Sequence, residues 1–364
     1  KNHSRQFTTH YENGPVTSSI GIFYLDGKTN SSYNQKLPFN NFTTENHEIQ
    51  EVENIALFSE VNFQILPRWS IFGGLRYDRE KLGFNKVFRE ANETQLLSST
   101  SFSSDFSDDA ILPKVGINHN LNDDTLISLK TQKSYRPGGI EYDLFNNNDY
   151  LYNNETVWNY ELSLSGKLPN KSINYSANLF YMDWKDQQLT IPRIPSDLTS
   201  SVITNVKDSY VYGGELELIS QPSKGLILFA SIGAALTDFE EFEFNQIGTN
   251  NNLSGLKFPR TPNYSASAGI DYQFDSGLFL GGNVNYTSSR ISRSIFEGLE
   301  QNDLSAYTVL NFRVGYKRDN WSITAFANNL TDEEYFLYRY DTPKLQVGTL
   351  GLGRFFGVRA SYNF

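Results

Sequence analysis

The side chains best suited to chemistry in this sequence are arginines and aromatics. Arg136, Arg193, Arg260, Arg290, Arg293, Arg339 and Arg354 each carry a planar fork of donors, which matches the oxygens of a carboxylate or a catecholate. Tyr135, Trp158, Tyr338 and Tyr340 stand among them and would supply flat apolar walls. The candidate anion site is drawn from this set as Tyr135, Arg136, Trp158, Arg260, Arg290, Arg293, Arg339 and Tyr340. Arg136 is singled out because Pro137-Gly138-Gly139 fixes a tight bend directly after it. The plainer role for any one arginine is an ion pair with a nearby acid.

Other chemistry finds less support. The acids Asp108-Asp109, Asp123-Asp124, Glu240-Glu241 and Glu333-Glu334 are adjacent, so on a strand the members of each pair point to opposite faces. Paired-carboxylate catalysis needs them to converge. No GxSxG elbow, HExxH or phosphate-binding loop occurs. Cysteine is absent, which removes disulfides, thiolate metal sites and cysteine nucleophiles. Residues 146–155 hold oxygen ligands of the kind calcium takes, but without a fixed ligand spacing, and read as a solvated loop. No catalytic residue, metal site or cofactor is expected. The net charge of -10 argues against nucleic acid as a partner, because that needs a basic face.

Strands must position these residues. The chain ends GRFFGVRASYNF, with Phe356, Val358, Ala360, Tyr362 and Phe364 on one face and Gly357, Arg359, Ser361 and Asn363 on the other. That period of two belongs to a strand. Tyr264 to Phe274, Trp158 to Leu164, Leu310 to Tyr316 and Tyr212 to Leu218 repeat it, with Asp271, Glu161, Arg313 and Glu215 on the alternate face. Unpartnered charges of that kind are intolerable in a dry core but stay hydrated in the lumen of a wide barrel. Mean hydropathy is only -0.47, and no apolar run reaches the ~18 residues of a membrane helix. Yet 15% of residues are aromatic, as expected where alternation hides a lipid-facing stripe from a window average.

Turn signals punctuate the chain at 12–15, 65–69, 120–124, 167–172, 220–225, 274–277 and 317–320. Between them lie wetter stretches such as SSTSFSSDFSDD (98–109), FNNNDYLYNNE (145–155) and NQIGTNNNLSG (245–255). TDFEEFEF (237–244) falls where a strand should run out into a loop. Short turns at one end and long loops at the other describe an all-β, antiparallel, up-and-down transmembrane barrel. Seven turns make fourteen strands, the first over about 4–11, and the stretch from about 352 to 364 makes a fifteenth. Trp69, Tyr272, Tyr316, Trp321, Tyr362 and Phe364 stand near the turns, where aromatic ends suit a membrane interface. An odd count with ends on opposite sides predicts the C-terminal part of a longer barrel.

Particular strings sharpen this. WSIFGGLRYDREK (69–81), KTQKSYRPGGI (130–140), ETVWNYELSLSGKL (155–168), ANLFYMDWKDQQL (177–189), ANNLTDEEYF (327–336) and the terminal GRFFGVRASYNF resemble the barrel of a TonB-dependent outer-membrane receptor. The resemblance implies that residues 1–364 form roughly the last fifteen strands of a barrel of about 22. The plug domain, the first strands and the TonB box have no counterpart in the chain. It implies import of a scarce nutrient across the bacterial outer membrane, most often a ferric siderophore, energised by the TonB complex through the plug. Cobalamin or an oligosaccharide are other ligands of the family. No reaction is performed on the cargo. Outer-membrane lipid and lipopolysaccharide are the implied surroundings, and lipopolysaccharide phosphates are another partner for the arginines. The terminal Phe364 is implied as the end recognised in assembly. Haem is disfavoured: His3, His10, His47 and His119 are the only histidines, and His119 sits against a tight turn. A passive porin and a surface adhesion or partner-binding barrel with its role in the loops are the alternatives from different classes.

Overall fold

The computed structural model describes residues 2–37, 42–91, 96–143, 146, 148–168, 172–193, 201–246, 249–252, 254–293, 302–341 and 346–363. Fifteen strands form one antiparallel sheet in chain order. They are β1 (Asn2–Asn13), β2 (Val16–Leu37), β3 (Phe42–Leu66), β4 (Trp69–Ala91), β5 (Leu96–Asn122), β6 (Thr125–Arg136), β9 (Glu155–Leu168), β10 (Ile173–Pro192), β11 (Ser201–Ser223), β12 (Leu226–Glu241), β15 (Tyr264–Gln273), β16 (Leu278–Thr287), β19 (Tyr307–Arg318), β20 (Trp321–Asn328) and β23 (Phe355–Tyr362). Four small hairpins stand apart: β7 (Gly139–Asp143) with β8 (Asn148–Tyr152), β13 (Glu243–Gln246) with β14 (Thr249–Asn252), β17 (Arg290–Arg293) with β18 (Asn302–Leu304), and β21 (Phe336–Asp341) with β22 (Gln346–Leu350). Each sits in a connection opposite the tight turns.

The strand count and the alternation of short and long connections agree with the sequence reading. Six of the seven turn signals fall on tight turns between sheet neighbours. The seventh joins β9 to β10, and its residues 169–171 lie outside the described residues. Gly225 shows why one such turn needs glycine: its φ is +81° and a Cβ there would run into the Gln273 carbonyl.

Four readings need correction, one of them at 245–255, where residues 249–252 form β14 and pair with β13. The serine-rich 98–109 stretch is not loop: it is the far half of β5, paired with β4 from Glu90↔Ser98 to Arg79↔Asp109. Serine is a weak strand former, but a long neighbour supplies the complete ladder of backbone partners. For the same reason, residues 237–241 continue β12 instead of leaving the sheet. Residues 148–152, within the expected 145–155 loop, form β8. Strands β2 to β5 therefore run 22 to 27 residues, at least twice the ~9–11 that cross a bilayer, and stand tall above it.

Cross-strand partners share a face, so the register separates two surfaces. One carries Ile22–Leu57–Tyr77–Ile111, Leu129–Leu162–Leu179, Leu216–Ile232–Ala266–Tyr286 and Phe312–Ala327–Phe356. Ile22, Leu57, Ile111, Leu129 and Leu179 are all more than half exposed, an apolar surface in need of lipid. The other face carries charged pairs: Lys114 with Glu60, Lys130 with Glu161 at 3.0 Å and Arg313 with Asp271 at 2.7 Å. Of the charges predicted on the alternate face, Glu161, Asp271 and Arg313 make these cross-strand pairs.

The charged face also holds a repeated joint. Six phenylalanines lie directly opposite a glycine on the next strand: Phe58–Gly21, Phe72–Gly116, Phe180–Gly213, Phe229–Gly269, Phe279–Gly315 and Phe326–Gly357. In each pair a Cβ on the glycine would meet the ring inside 3.0 Å. The ring fills the glycine's place and covers backbone that would otherwise lie bare. A small closed core forms at the loop end from Ile191, Val206, Phe239 and Phe242, packed by Leu256 and Phe258.

Candidate functional site

The long-loop end of the wall gathers the candidate residues into two groups. The first surrounds the end of β6. Strands β6 and β9 stop low between taller neighbours, and the β7–β8 hairpin fills the gap. Arg136 closes it: its Nη2 donates to Glu155 Oε2 at 3.0 Å and to the Gln188 carbonyl at 3.2 Å. Glu155 is buried and also accepts from Gln188 N at 2.6 Å. Gly138 N donates to Asp108 Oδ2 at 3.2 Å, and Asn154 Nδ2 to the same oxygen at 2.9 Å. The predicted bend at Pro137-Gly138-Gly139 is present between β6 and β7. A Cβ on Gly138 would lie 2.5 Å from the Tyr152 carbonyl, so only glycine allows this approach.

The hairpin is clipped on both flanks. Asp143, 2% exposed, pairs with Arg193 at 2.9 Å and accepts from Asn146 Nδ2 at 2.7 Å. Lys86 reaches Glu141 at 3.6 Å. Tyr150 Oη accepts from Ile203 N of β11 at 2.7 Å. Burial pushes the Tyr150 phenol up to about 12, against the hydrogen bond from Ile203, and Glu141 and Asp143 add to the rise. The Tyr152 phenol is raised for the same first reason. A raised phenol favours the neutral form in place, so this contribution is complete below about pH 10, the ordinary tyrosine value, and is lost toward pH 12. The difference in phenolate absorbance between the parent and Tyr150→Phe should place the lost phenol near 12. A Tyr150 titrating near 10 would contradict the packing described.

The second group lies on β17 and β21, beside Tyr307 at the start of β19. Arg290 stands 5.5 Å over the Tyr307 ring and donates to the Phe336 carbonyl at 3.2 Å. Tyr307 stacks on Tyr335 with centroids 4.0 Å apart. Arg339 lies 5.6 Å over Phe336, and its backbone N and O both bond Ser292 Oγ at 2.7 Å. Arg260, with φ +63°, donates its backbone N to the Ile291 carbonyl at 2.6 Å. Arg293 and Tyr340 are placed on β17 and β21, while their side chains lie outside the described residues. Arg354 pairs with Asp332 at 3.3 Å. So Arg260, Arg290, Arg293, Arg339 and Tyr340 come to one pair of hairpins, and Tyr135 and Arg136 to another place. Guanidinium planes over rings are the arrangement that binds flat anions, although Arg136 already spends its charge on Glu155.

Trp158 joins neither group. It shares the outward face with Tyr160 and Leu162, with rings 6.5 Å from Tyr160. It opens an aromatic row that sequence reading left unassembled: Trp158, Tyr160, Tyr181, Tyr210 and Tyr212, with Tyr264 and Tyr286 farther along. The signal was available, because these rings keep phase with Leu162 and Leu179. Trp69, Tyr272, Tyr316, Trp321 and Tyr362 stand on the same face at the turn end, with Trp69 stacked on His119 at 3.8 Å and Tyr316 5.7 Å from Trp321. Phe364 lies outside the described residues. Tyr264 and Tyr272 are eight residues apart on β15, about 27 Å along the strand and about 20 Å along the normal at ~40° tilt. That is close to the ~25 Å apolar band of an outer-membrane barrel. Among the described residues no helix could cross a membrane, and no three His, Asp or Glu side chains converge on a metal site.

An apolar outward band edged by aromatics, a charged inner face, tight turns at one end and elaborated loops at the other define a transmembrane β-barrel wall of the outer-membrane type. The chain belongs to the TonB-dependent receptor-like β-barrel family, whose model matches residues 2–330. It is 21% identical over 318 residues to the pesticin receptor of Yersinia pestis, covering 86% of this chain and 44% of that receptor. Among solved structures, the ferric yersiniabactin uptake receptor FyuA from Yersinia pestis shares its fold with a TM-score of 0.79 at 18% identity, over 100% of this chain and 54% of that one. The siderophore receptor PiuA from Acinetobacter baumannii does so at 0.69 and 16%, over 99% and 56%. The chain spans about half the length of the curated relatives it matches.

Proposed function

We propose that this chain forms part of the barrel of an outer-membrane receptor that imports a ferric siderophore, energised by the TonB complex. One observation carries the reading: cationic and aromatic groups, Arg290 over Tyr307 and Arg339 over Phe336, gather at the loop end of this wall. They suit a flat, oxygen-rich anion. The whole-chain likeness to FyuA supports the same cargo class. Coupling to TonB is assigned to a plug outside these residues. The turn-end aromatics serve as the periplasmic girdle, and Phe364 as the assembly signal. On this reading the cargo passes through chemically unchanged.

The test is uptake of iron-55 by cells whose other siderophore receptors are deleted and which express the full-length protein. The probes are ferric complexes of a phenolate, a catecholate and a citrate-type chelator. The expected result is accumulation of one class, abolished when TonB is deleted. Absence of uptake for all three, or entry that ignores TonB, would sink the proposal; the second result would favour a passive channel.

A further inference from the structure

We propose that the charged face of β3 to β5 holds a seat for a protonated amine, carried by the cargo. The seat stands on geometry; that its occupant belongs to the cargo rests on the import function proposed above. On β4, Trp69 and Tyr77 lie eight residues apart on the outward face, the spacing of Tyr272 and Tyr264 on β15. Residues beyond 77 therefore rise above the apolar band, and the even-numbered ones face the lumen. Three acids lie side by side there. Glu80 is directly opposite Asn54 on β3 and Asp108 on β5, and Asp78 is two residues away on the same face. Among the described residues one cation answers them: Arg76, whose Nε pairs with Asp78 Oδ2. Asp108 is held by the neutral donors Gly138 N and Asn154 Nδ2. Glu80 accepts from Asn54 Nδ2 at 3.3 Å and makes no ion pair among the described residues.

Two oxygens beside these acids have no partner. Asn54 is 6% exposed; its Nδ2 donates to Asp78 and Glu80, while its Oδ1 is buried and unpaired. Tyr135 Oη is buried and unpaired too. Burial raises its phenol, and Asp78, Glu80 and Asp108 add to the rise. Burial likewise raises the Glu80 carboxyl, the bond from Asn54 lowers it, and Asp78 and Asp108 raise it again, as expected of an acid that lacks a countercharge. Buried oxygens without donors, beside acids in excess of cations, call for N–H groups on a positive centre. A metal ion fits less well, since among the described residues no three acidic side chains are placed to hold one. An ammonium group brings three donors on a compact charge, enough for Glu80, Asn54 Oδ1 and Tyr135 Oη. The cargo is then amphoteric, with an anionic chelate for Arg290 and Arg339 and a cationic arm for Glu80.

The test is equilibrium dialysis of radiolabelled cadaverine, a linear diamine, against the full-length receptor in detergent at low salt. Binding should saturate, and unlabelled cadaverine should compete where its diacetyl form does not. Glu80→Gln should weaken binding about tenfold and Tyr135→Phe about threefold, the weights of a charge-assisted and a neutral hydrogen bond. Glu53→Gln, an acid of the outward face paired with Lys81 at 3.6 Å, should leave it unchanged. Folded mobility on unheated gels checks that each variant assembles. Absence of saturable binding, or equal binding by Glu80→Gln, overturns the proposal. So does displacement by calcium at lower concentration than cadaverine itself, which would make this a metal site. Dialysis needs no transport: a receptor that imports iron but binds no amine fails this inference alone, and one that binds the amine but imports no iron fails only the import function.

Discussion

Gly213→Ala should destabilise the barrel by about 3 kcal/mol, the upper range for an overpacked site. A Cβ at 213 would meet the Phe180 ring at 2.8 Å on one side and the Ala234 carbonyl on the other. The ring can turn; the backbone of β12 cannot move without shearing its ladder. Phe180→Leu added to Gly213→Ala should therefore restore only part of the loss. Gly233→Ala is the matched control, since its Cβ would find Glu215 Cγ and Ser265 Oγ at an ordinary 3.8 Å. It should sit within about 0.5 kcal/mol of the parent. Urea unfolding in lipid, read by gel mobility of the folded form, measures all three. Equal stability of Gly213→Ala and Gly233→Ala would show that the phenylalanine–glycine joints do not hold the wall.

Asp143→Ala should free the β7–β8 hairpin while leaving the wall intact. Asp143 is 2% exposed and its partner Arg193 about one-third exposed. Losing a buried carboxylate strands the guanidinium and Asn146 together, at a cost of about 3 kcal/mol after allowance for Arg193's access to water. Because the clip holds a local unit, the expected readout is local: faster protease cleavage between residues 139 and 152, with unchanged global unfolding. Lys86→Ala, which removes a longer and wetter pair, should change cleavage little. A global loss of stability in Asp143→Ala would mean that the hairpin is part of the wall's own cooperative unit.

Much of the wall was legible because its signals are local. Gly14, Gly225 and Asp319 stand in tight turns with positive φ, and each lies inside a short string that announces a turn. Alternation at Tyr264–Tyr272 and Leu310–Tyr316 assigns both faces directly, since a one-residue slip would reverse them. The far half of β5 was hidden because its serines carry no strand preference; β4 imposes the strand. The hairpin strand β14 was hidden for a like reason, since Thr249–Asn252 is mostly asparagine. The site was less legible than the wall. The partners of Arg136 lie 19 and 52 residues away, and nothing in SYRPGG names Glu155 or Gln188. Trp158 was grouped with Tyr135 by chemistry, yet strand phase places it with Tyr160 and Leu162.

Every function considered above depends on one claim: this wall turns one face to lipid and the other to a wet lumen. The direct test is a nitroxide scan. Cysteine is absent from these residues, so single cysteines from Ser176 to Met182 of β10 can each be labelled in the full-length protein, any cysteine outside this stretch being replaced by serine, in lipid nanodiscs. Accessibility to oxygen should peak at 177, 179 and 181, where Ala177, Leu179 and Tyr181 face outward with Leu164, Leu162 and Tyr160. It should fall at 176, 178, 180 and 182, on the face of Glu161 and Glu215. A profile without period two, or with the two sets reversed, would contradict the account.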